Sequence, residues 1–293
     1  MSAAVVIPKT DGKGTVRGKV GQERTNWTAT ILLLIASLTI LVPLYVTVAM
    51  AFKTTQQSTD LNAFSLPSPF SVSGFTEAWS LTNFPRAFLI SSIVTLVAVA
   101  GAILVASMAS YAIVRNWDKK IFRYSFFYLL AAMFIPFPVV ALPQVRLTGL
   151  MGLDNFAGVA LLHIVFGLAF NTLLFTTFLR SIPLELEESM RMDGATTWQT
   201  FWKLIFPLLS PMAATVGIFA FLGSWNDFMM PSLIISTPEL QTIPVVNSIF
   251  QTQFSNSYNV SFASYLMAMA PAIIVYIFSQ RWVMSGLTQG AIK

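Results

Sequence analysis

The fold is decided by residues 86–114, which read RAFLISSIVTLVAVAGAILVASMASYAIV. Arg86 is the only charged residue among these 29 positions. A helix needs about 20 mostly apolar residues to cross a lipid bilayer. This stretch therefore predicts a membrane-spanning helix.

Five further segments have a similar length and composition. Together with the first they predict an all-α, polytopic membrane protein with six transmembrane helices. We place the spans at residues 28–52, 86–114, 124–145, 156–179, 211–235 and 259–280. In the third span, Pro136, Pro138 and Pro143 predict a kink or an early break, because a proline inside a span leaves backbone groups that need other partners.

The composition excludes several other classes of protein. Of the 293 residues, 55% are apolar and 10% are charged, whereas about a quarter of the residues in a soluble domain are charged. The chain has no cysteine, which excludes disulfide frameworks and thiolate chemistry. Its single histidine, His163, cannot build a histidine-rich zinc site. Without a nucleophile–base set or a group of metal ligands, we expect no enzyme.

Lysine and arginine are distributed unevenly among the predicted loops. Fourteen of the seventeen lie in the N-terminal tail, in the loops after spans two and four, or at the C-terminus, while Lys53, Arg86 and Arg146 lie on the other side. Cytoplasmic loops carry an excess of these residues, so both termini are predicted to be cytoplasmic. This topology explains the sequence pI of about 9.6, and no nucleic-acid partner is expected.

The predicted topology divides the chain into a mobile, basic cytoplasmic tail at residues 1–27 and a transmembrane domain at residues 28–293. Two extracytoplasmic loops, 53–85 and 236–258, are long enough to contact a partner. The first is expected to be ordered but irregular, with a short amphipathic piece. One long cytoplasmic loop, 181–210, joins spans four and five.

Local signals in the loop 181–210 predict two short helices with a sharp joint. Ser181 is a candidate N-cap, Gly194 supplies a left-handed stop, and Thr196 with Gln199 forms a capping-box pattern. Four large apolar residues are then spaced to form one helix face, namely Trp198, Phe201, Trp202 and Ile205. A solvated connector resting on the membrane is one interpretation. Two closely spaced helix-stop and helix-start signals favour the other, a rigid surface that transmits force to a partner.

The run ESMRMDGA at residues 188–195, followed by Phe201, Ile205 and Pro207, resembles the EAA loop of ATP-binding-cassette importer permeases. Residues 225–228, WNDF, and the tail 280–293 are similar to the carbohydrate-uptake branch, specifically to the second permease of maltose-type systems. Ser-Met stands where the pattern has Ala-Ala. The resemblance covers roughly residues 85–293.

The resemblance implies a type I importer permease in the cytoplasmic (inner) membrane of a bacterium or an archaeon. Such a chain would form half of the translocation pathway of a binding-protein-dependent, ATP-driven sugar importer. The partners implied are a second homologous permease, two ATPase subunits and an extracytoplasmic sugar-binding protein. The chain has no Gly-x4-Gly-Lys-Ser/Thr loop, so ATP and magnesium are expected on the ATPases and no cofactor on this chain.

The resemblance also assigns roles to residues in the two loops. The residues that would couple this chain to the ATPase are Glu187, Glu188, Arg191, Asp193, Gly194 and Ala195. The loop 236–258 is similar to the region that reaches the binding protein in maltose-type permeases. There the contact candidates are Gln251, Gln253 and Phe254. An ordinary hydrated loop is an equally compatible interpretation of that segment.

Polar residues within the predicted spans are the candidates for the translocation pathway. Buried acids in spans usually face the bundle interior or water, so Asp227, with Asn226 beside it, either lines the pathway or braces a kink at Pro231. His163 is either a hydrogen-bonded packing residue, which we favour, or a ligand. Asn171 is a further pathway candidate.

Two other functions are compatible with a six-span chain. One is an ATP-binding-cassette permease for a non-sugar solute, which the carbohydrate-type flanking motifs disfavour. The other is a self-sufficient secondary carrier. Such carriers usually show inverted repeats and ionisable residues near the middle of the membrane, and the sequence shows no such repeat and few charges.

Overall fold

The structure is a computed structural model that describes residues 27–252 and 257–291. Within these two ranges the chain forms helices and no strand. The helices are α1 (Trp27–Ala51), α2 (Thr55–Asp60), α3 (Ser73–Leu81), α4 (Phe84–Arg115), α5 (Lys120–Ala132), α6 (Phe137–Leu150), α7 (Phe156–Leu179), α8 (Glu185–Met192), α9 (Thr197–Thr200), α10 (Phe206–Leu208), α11 (Ser210–Trp225), α12 (Met229–Ile234), α13 (Ile243–Asn247), α14 (Ile249–Thr252) and α15 (Tyr258–Ala291). A π-helical turn, Phe201–Ile205, joins α9 to α10, and a 3₁₀ turn, Pro238–Leu240, precedes α13.

The chain divides into two compact units. The first ends at Tyr45, and its described part is a single helical stretch, residues 27–45 of α1. The second begins at Val46 and contains all the other helices. Every site described below lies within the second unit.

The described residues contain four helices that are long and apolar enough to cross a membrane: α1, α4, α7 and the Tyr258–Gln280 part of α15. Two bent pairs raise the number to six if each pair counts as one span. One pair is α5 with α6, bent by 103°, and the other is Thr197–Leu208 with α11, bent by 74°. The all-α, multi-pass class is confirmed, while the count of six spans stays a prediction.

Two predicted spans are interrupted. The third, at 124–145, is broken between α5 and α6, and Pro136 has an extended backbone at the start of α6, so the predicted early break is confirmed. The fifth, at 211–235, is not continuous, because α11 ends at Trp225 and α12 begins at Met229. A kink at Pro231 was one expectation for this span; the helix is instead interrupted at residues 226–228, where Oδ1 of Asp227 accepts from the N–H of Met229.

Helix α4 is the centre of the second unit and packs against α7 and α11. Its buried face carries a small residue at every fourth position, Ala98, Ala102 and Ala106. A side chain at Gly101 would collide with the side chain of Ile164 of α7, so Ile164 packs directly on the backbone of α4, as small residues allow in membrane helices. The hydroxyl of Ser110 donates to the carbonyl of Thr172, at 3.0 Å, and fixes α4 against α7.

The segment between α1 and α4 contains more helix than the one short piece that was predicted. It contains both α2 and α3, and α3 packs on α15. The side chain of Lys53 is completely buried, and its Nζ donates to the carbonyl of Asn62 (2.8 Å) and to Oγ of Ser65 (3.0 Å). These hydrogen bonds join Lys53, which lies just before α2, to the stretch that follows that helix.

Candidate functional site

We use the name elbow for residues 181–210, whose first helix is α8. The first turn of α8 holds Glu185, Glu187 and Glu188, where the free N–H groups of a helix favour negative charge. The prediction that Ser181 caps this helix was wrong, because Leu184 occupies the N-cap position. Ser181 is still within reach of α7, and its hydroxyl donates to the carbonyl of Phe178 at 2.7 Å.

The predicted joint of the elbow is present and is formed by local hydrogen bonds. Gly194 has a φ of +81°, a conformation that favours glycine. The N–H of Ala195 donates to the carbonyl of Met190, and that of Gly194 to the carbonyl of Arg191, which is the Schellman pattern of a helix end. The next helix starts with the predicted capping box between Thr196 and Gln199.

One carboxylate of α8 points into the protein. The side chain of Glu187 is completely buried. Its Oε1 accepts from Nε of Arg115 at 2.6 Å, and its Oε2 accepts from the hydroxyl of Tyr111 at 2.9 Å. Arg191 lies one helical turn further along α8, with Nη2 at 4.0 Å from Oε2. The elbow is therefore tied to the last turn of α4.

The other predicted coupling residues lie on the outer surface of the elbow or at its joint. Glu188, Arg191, Asp193 and Gly194 are exposed, and Ala195 is half-buried. Two large apolar side chains accompany them, Met192 and Trp198, with 88% and 62% of their surface exposed. Aromatic, methionine and arginine side chains are enriched at protein–protein interfaces, and the exposed residues Trp198, Met192 and Arg191 supply one of each.

The helix face predicted beyond the joint is only partly buried. Phe201 and Ile205 belong to a core that also contains residues of α4, α7 and α11. The ring of Phe201 lies 5.4 Å from that of Tyr111 and 5.1 Å from that of Trp202. The aromatic residues therefore anchor the second arm of the elbow to the helices behind it.

A cavity of about 580 Å³ lies between α7, α11 and α12. Three of the four predicted pathway residues line it, His163, Asn171 and Asp227. Four phenylalanine rings complete much of its wall, and they are Phe137, Phe166, Phe170 and Phe219. The lining residues include one acid and, among the described residues, neither lysine nor arginine.

Asp227 lines the cavity and also bonds to the backbone at the start of α12. Its Oδ1 accepts from the backbone N–H groups of Met229 (3.0 Å) and Met230 (3.4 Å), which caps α12. Its Oδ2 lies 3.5 Å from Nε2 of His163, which makes no hydrogen bond within the described part of the chain. Asn226 does not join the cavity, since its amide donates to the carbonyl of Leu222.

The segment 236–258 is anchored by buried side chains in its described part. Phe250 packs with Ala78 and Val260, and Oδ1 of Asn247 accepts from the hydroxyl of Ser264 at 2.6 Å. Gln251 lies in α14, and its side chain is outside the described part of the structure. Gln253 and Phe254 are also outside the described residues.

Sequence reasoning missed the partners of Glu187 and the rings around the cavity. Tyr111 and Arg115 are four residues apart on the last turn of α4, where side chains share one face, and this spacing was the available signal. For the phenylalanines there was none, because the chain has 25 of them. Among the described residues, no group of three or more histidines or acids could hold a metal ion.

Residues 101–289 match the family model described as "binding-protein-dependent transport system inner membrane component". The multiple sugar-binding transport system permease protein MsmG of Streptococcus mutans is 32% identical over 266 residues, which are 90% of this chain and 95% of that protein. The starch degradation products transport system permease protein AmyC of Thermoanaerobacterium thermosulfurigenes, described as probable, is 29% identical. That match covers 90% of this chain and 96% of AmyC.

A similar fold occurs in a solved structure of a bacterial ABC transporter involved in the import of the acidic polysaccharide alginate. The TM-score is 0.74 at 24% identity, with 87% of this chain and 95% of that chain covered. A second structure shows a bacterial alginate ABC transporter in complex with a periplasmic protein that holds an alginate pentasaccharide. Its TM-score is 0.64 at 18% identity, over 86% of this chain.

Proposed function

The chain belongs to the family of inner membrane components of binding-protein-dependent transport systems, and we propose that it is the permease subunit of an ATP-driven importer of a sugar or oligosaccharide. As a family member it is a multi-pass transporter subunit and not an enzyme. The observation that carries the substrate class is the match of nearly the whole chain to a multiple-sugar permease.

The outer surface of the elbow would be the contact with a separate ATPase. Glu188, Asp193 and the exposed side chains of Met192 and Trp198 project from a joint whose geometry is fixed by hydrogen bonds. A charged group orients such a contact, and a rigid joint transmits movement to the helices behind it. Two ATPase subunits holding ATP and magnesium would push on this surface and on that of a second, homologous permease.

The elbow must lie in the cytoplasm for this mechanism to work. The excess of basic residues in the loops on the same side supports this orientation, with six spans and both termini in the cytoplasm. The membrane would be the cytoplasmic membrane of a bacterium or an archaeon. In this topology the segments 53–85 and 236–258 face outward, where Gln251, Gln253 and Phe254 are candidates for contact with the sugar-binding protein.

The cavity would form this chain's half of the translocation pathway. Its phenyl rings offer apolar faces, while His163, Asn171 and Asp227 offer a few polar groups. A sugar has apolar ring faces as well as hydroxyl groups. Its ring faces would pack against the phenyl rings, and its hydroxyl groups would hydrogen-bond to the polar side chains. Pockets with mostly apolar walls and a few placed polar groups are typical of small-molecule sites.

Uptake in reconstituted vesicles tests the proposed function. Vesicles containing this chain, the second permease, the ATPases and the binding protein should accumulate labelled oligosaccharide only when ATP is supplied to the ATPase side. Vesicles with this chain alone are the control and should show no uptake.

Gradient-driven uptake by the chain alone would instead identify a secondary carrier. ATP-dependent uptake of labelled peptide, phosphate or polyamine without uptake of any sugar would identify a permease for another solute. Either result contradicts the proposed function.

A further inference from the structure

Glu187 has an environment that is unusual for an acid on a short, exposed helix. Its neighbours Glu185 and Glu188 face solvent, whereas Glu187 is completely buried. Both of its carboxylate oxygens accept hydrogen bonds from α4, one from Arg115 and one from Tyr111. A buried charge is costly unless it is paired and hydrogen-bonded, so the burial of Glu187 depends on its contacts with Arg115 and Tyr111.

The end of α4 contacts both arms of the elbow. In addition to Glu187, Arg115 reaches the stretch before α8, where its Nη2 lies 3.4 Å from the carbonyl of Ile182. Tyr111 also packs against Phe201, which lies beyond the joint at Gly194. These two side chains of α4 therefore hold the entry to the elbow, its first helix and its second arm in one arrangement.

We infer that Glu187 is a positioning residue that clamps α8 to α4, so that movement of the elbow is passed directly to a membrane helix. The inference rests on the proposed function, because it concerns how the importer transmits work. The covalent route from α8 to α4 runs back through α7, α6 and α5, including the 103° bend. The clamp bypasses that route, and α4 in turn is fixed to α7 through Ser110 and Thr172.

The clamp assigns different tasks to two adjacent acids. Glu188 is exposed and is available to the ATPase, while Glu187 is inaccessible and bound from behind. Loss of Glu188 should weaken the binding of the ATPase. Loss of Glu187 should leave the ATPase bound but reduce the transport obtained from each ATP. The two defects are measured separately.

A double-mutant cycle on Glu187 and Arg115 in the complete reconstituted transporter tests the clamp. Glu187→Gln and Arg115→Gln should each lower the sugar taken up per ATP hydrolysed by about tenfold, equivalent to about 1.4 kcal/mol. Co-purification of the ATPase should stay within about twofold of the wild type. The double variant should be no worse than either single variant, because residues that act as one unit give non-additive losses. Glu185→Gln, an exposed acid on the same helix, is the matched control and should be unchanged.

Several outcomes would overturn the clamp. They are unchanged uptake per ATP in both single variants, losses that multiply in the double variant, or loss of ATPase binding as the main defect of Glu187→Gln. If Glu187→Gln fails to insert because Arg115 is left unpaired, the double variant removes that unpaired charge and should insert. Failure of the double variant to insert would also overturn the inference, since Glu187 would then serve only the fold. If the wild type takes up sugar only with ATP, the proposed function holds, and any of these results then counts against the clamp alone.

Discussion

Nε of Arg115 lies 2.6 Å from Oε1 of Glu187, so the last residue of a membrane helix is bonded to a helix that begins 70 positions further along the chain. This contact fixes which face of α8 is turned inward. Glu187 faces α4, and Glu188, the next residue, faces solvent. The elbow therefore has an inner side that is bound to α4 and an outer side that is exposed. We expect substitutions on the two sides to have different effects.

Replacing Glu188 by alanine should weaken the contact with the ATPase. The carboxylate is exposed and belongs to no ion pair among the described residues, so its loss should not disturb the fold. We expect co-purification of the ATPase to fall about tenfold, as for the loss of an interfacial charge contributing about 1.4 kcal/mol, with normal insertion in the membrane. Glu185→Ala is the control, and equal losses in both variants would contradict a specific contact at Glu188.

Replacing Gly194 by alanine should strain the joint of the elbow. The left-handed conformation costs about 1–2 kcal/mol for a residue with a side chain, although no atom lies within 4 Å of the added carbon. Uptake should fall several-fold while the amount of inserted protein stays unchanged. Gly149→Ala is the matched control, because Gly149 lies in a helix and its added carbon also meets nothing. If uptake is normal in Gly194→Ala, the joint need not be fixed.

Replacing Asp227 by asparagine should separate its role in the cavity from its role as a cap. Asparagine keeps an oxygen for the N–H groups of Met229 and Met230 but loses the negative charge beside His163. A sugar hydroxyl in the cavity would donate to the Asp227 carboxylate, and a hydrogen bond to a charged group contributes about 1.5 kcal/mol or more, so we expect about tenfold lower uptake with unchanged thermal stability. Asn226→Ala should transport normally, because Asn226 lies outside the cavity wall. Normal uptake by Asp227→Asn would remove Asp227 from the pathway.

Replacing Gly101 by alanine should separate α4 from α7. The added carbon would collide with the side chain of Ile164, and overpacking of this kind costs about 1–3 kcal/mol. The melting temperature of the detergent-solubilised protein should therefore fall. Ile164→Ala in the same chain should recover most of the loss, since it removes the colliding atoms. A double variant that is less stable than Gly101→Ala would contradict this packing.

Features encoded by neighbouring residues could be predicted from the sequence. The stop at Gly194 and the capping box of Thr196 and Gln199 depend on residues within one turn of each other, and both are present. The break in the third predicted span followed from Pro136 in the same way. The apolar stretches that define the membrane helices are long enough to be identified without knowledge of their partners.

Features that depend on packing between distant residues could not be predicted. Nothing near Glu187 in the sequence indicates that Tyr111 and Arg115 would bury it, because its partners are set by how α4 crosses the elbow. Ser181 has the residue type of an N-cap, but its hydroxyl donates instead to the carbonyl of Phe178 at the end of α7. Asp227 was predicted to brace a kink at Pro231 or to line the pathway, and the helix break just before α12 was missed.

The most direct test of the account is cross-linking from the outer surface of the elbow. The chain has no cysteine, so Met192→Cys, at a side chain that is 88% exposed, would give a single reactive thiol. In the assembled importer, a short thiol-to-amine cross-linker should join this position to an ATPase subunit, and the yield should change when ATP is added. Leu66→Cys, 70% exposed in the segment predicted to be extracytoplasmic, should give no ATPase product. Labelling of Met192→Cys by an impermeant reagent from outside the cell, or the absence of any ATPase product, would contradict the account.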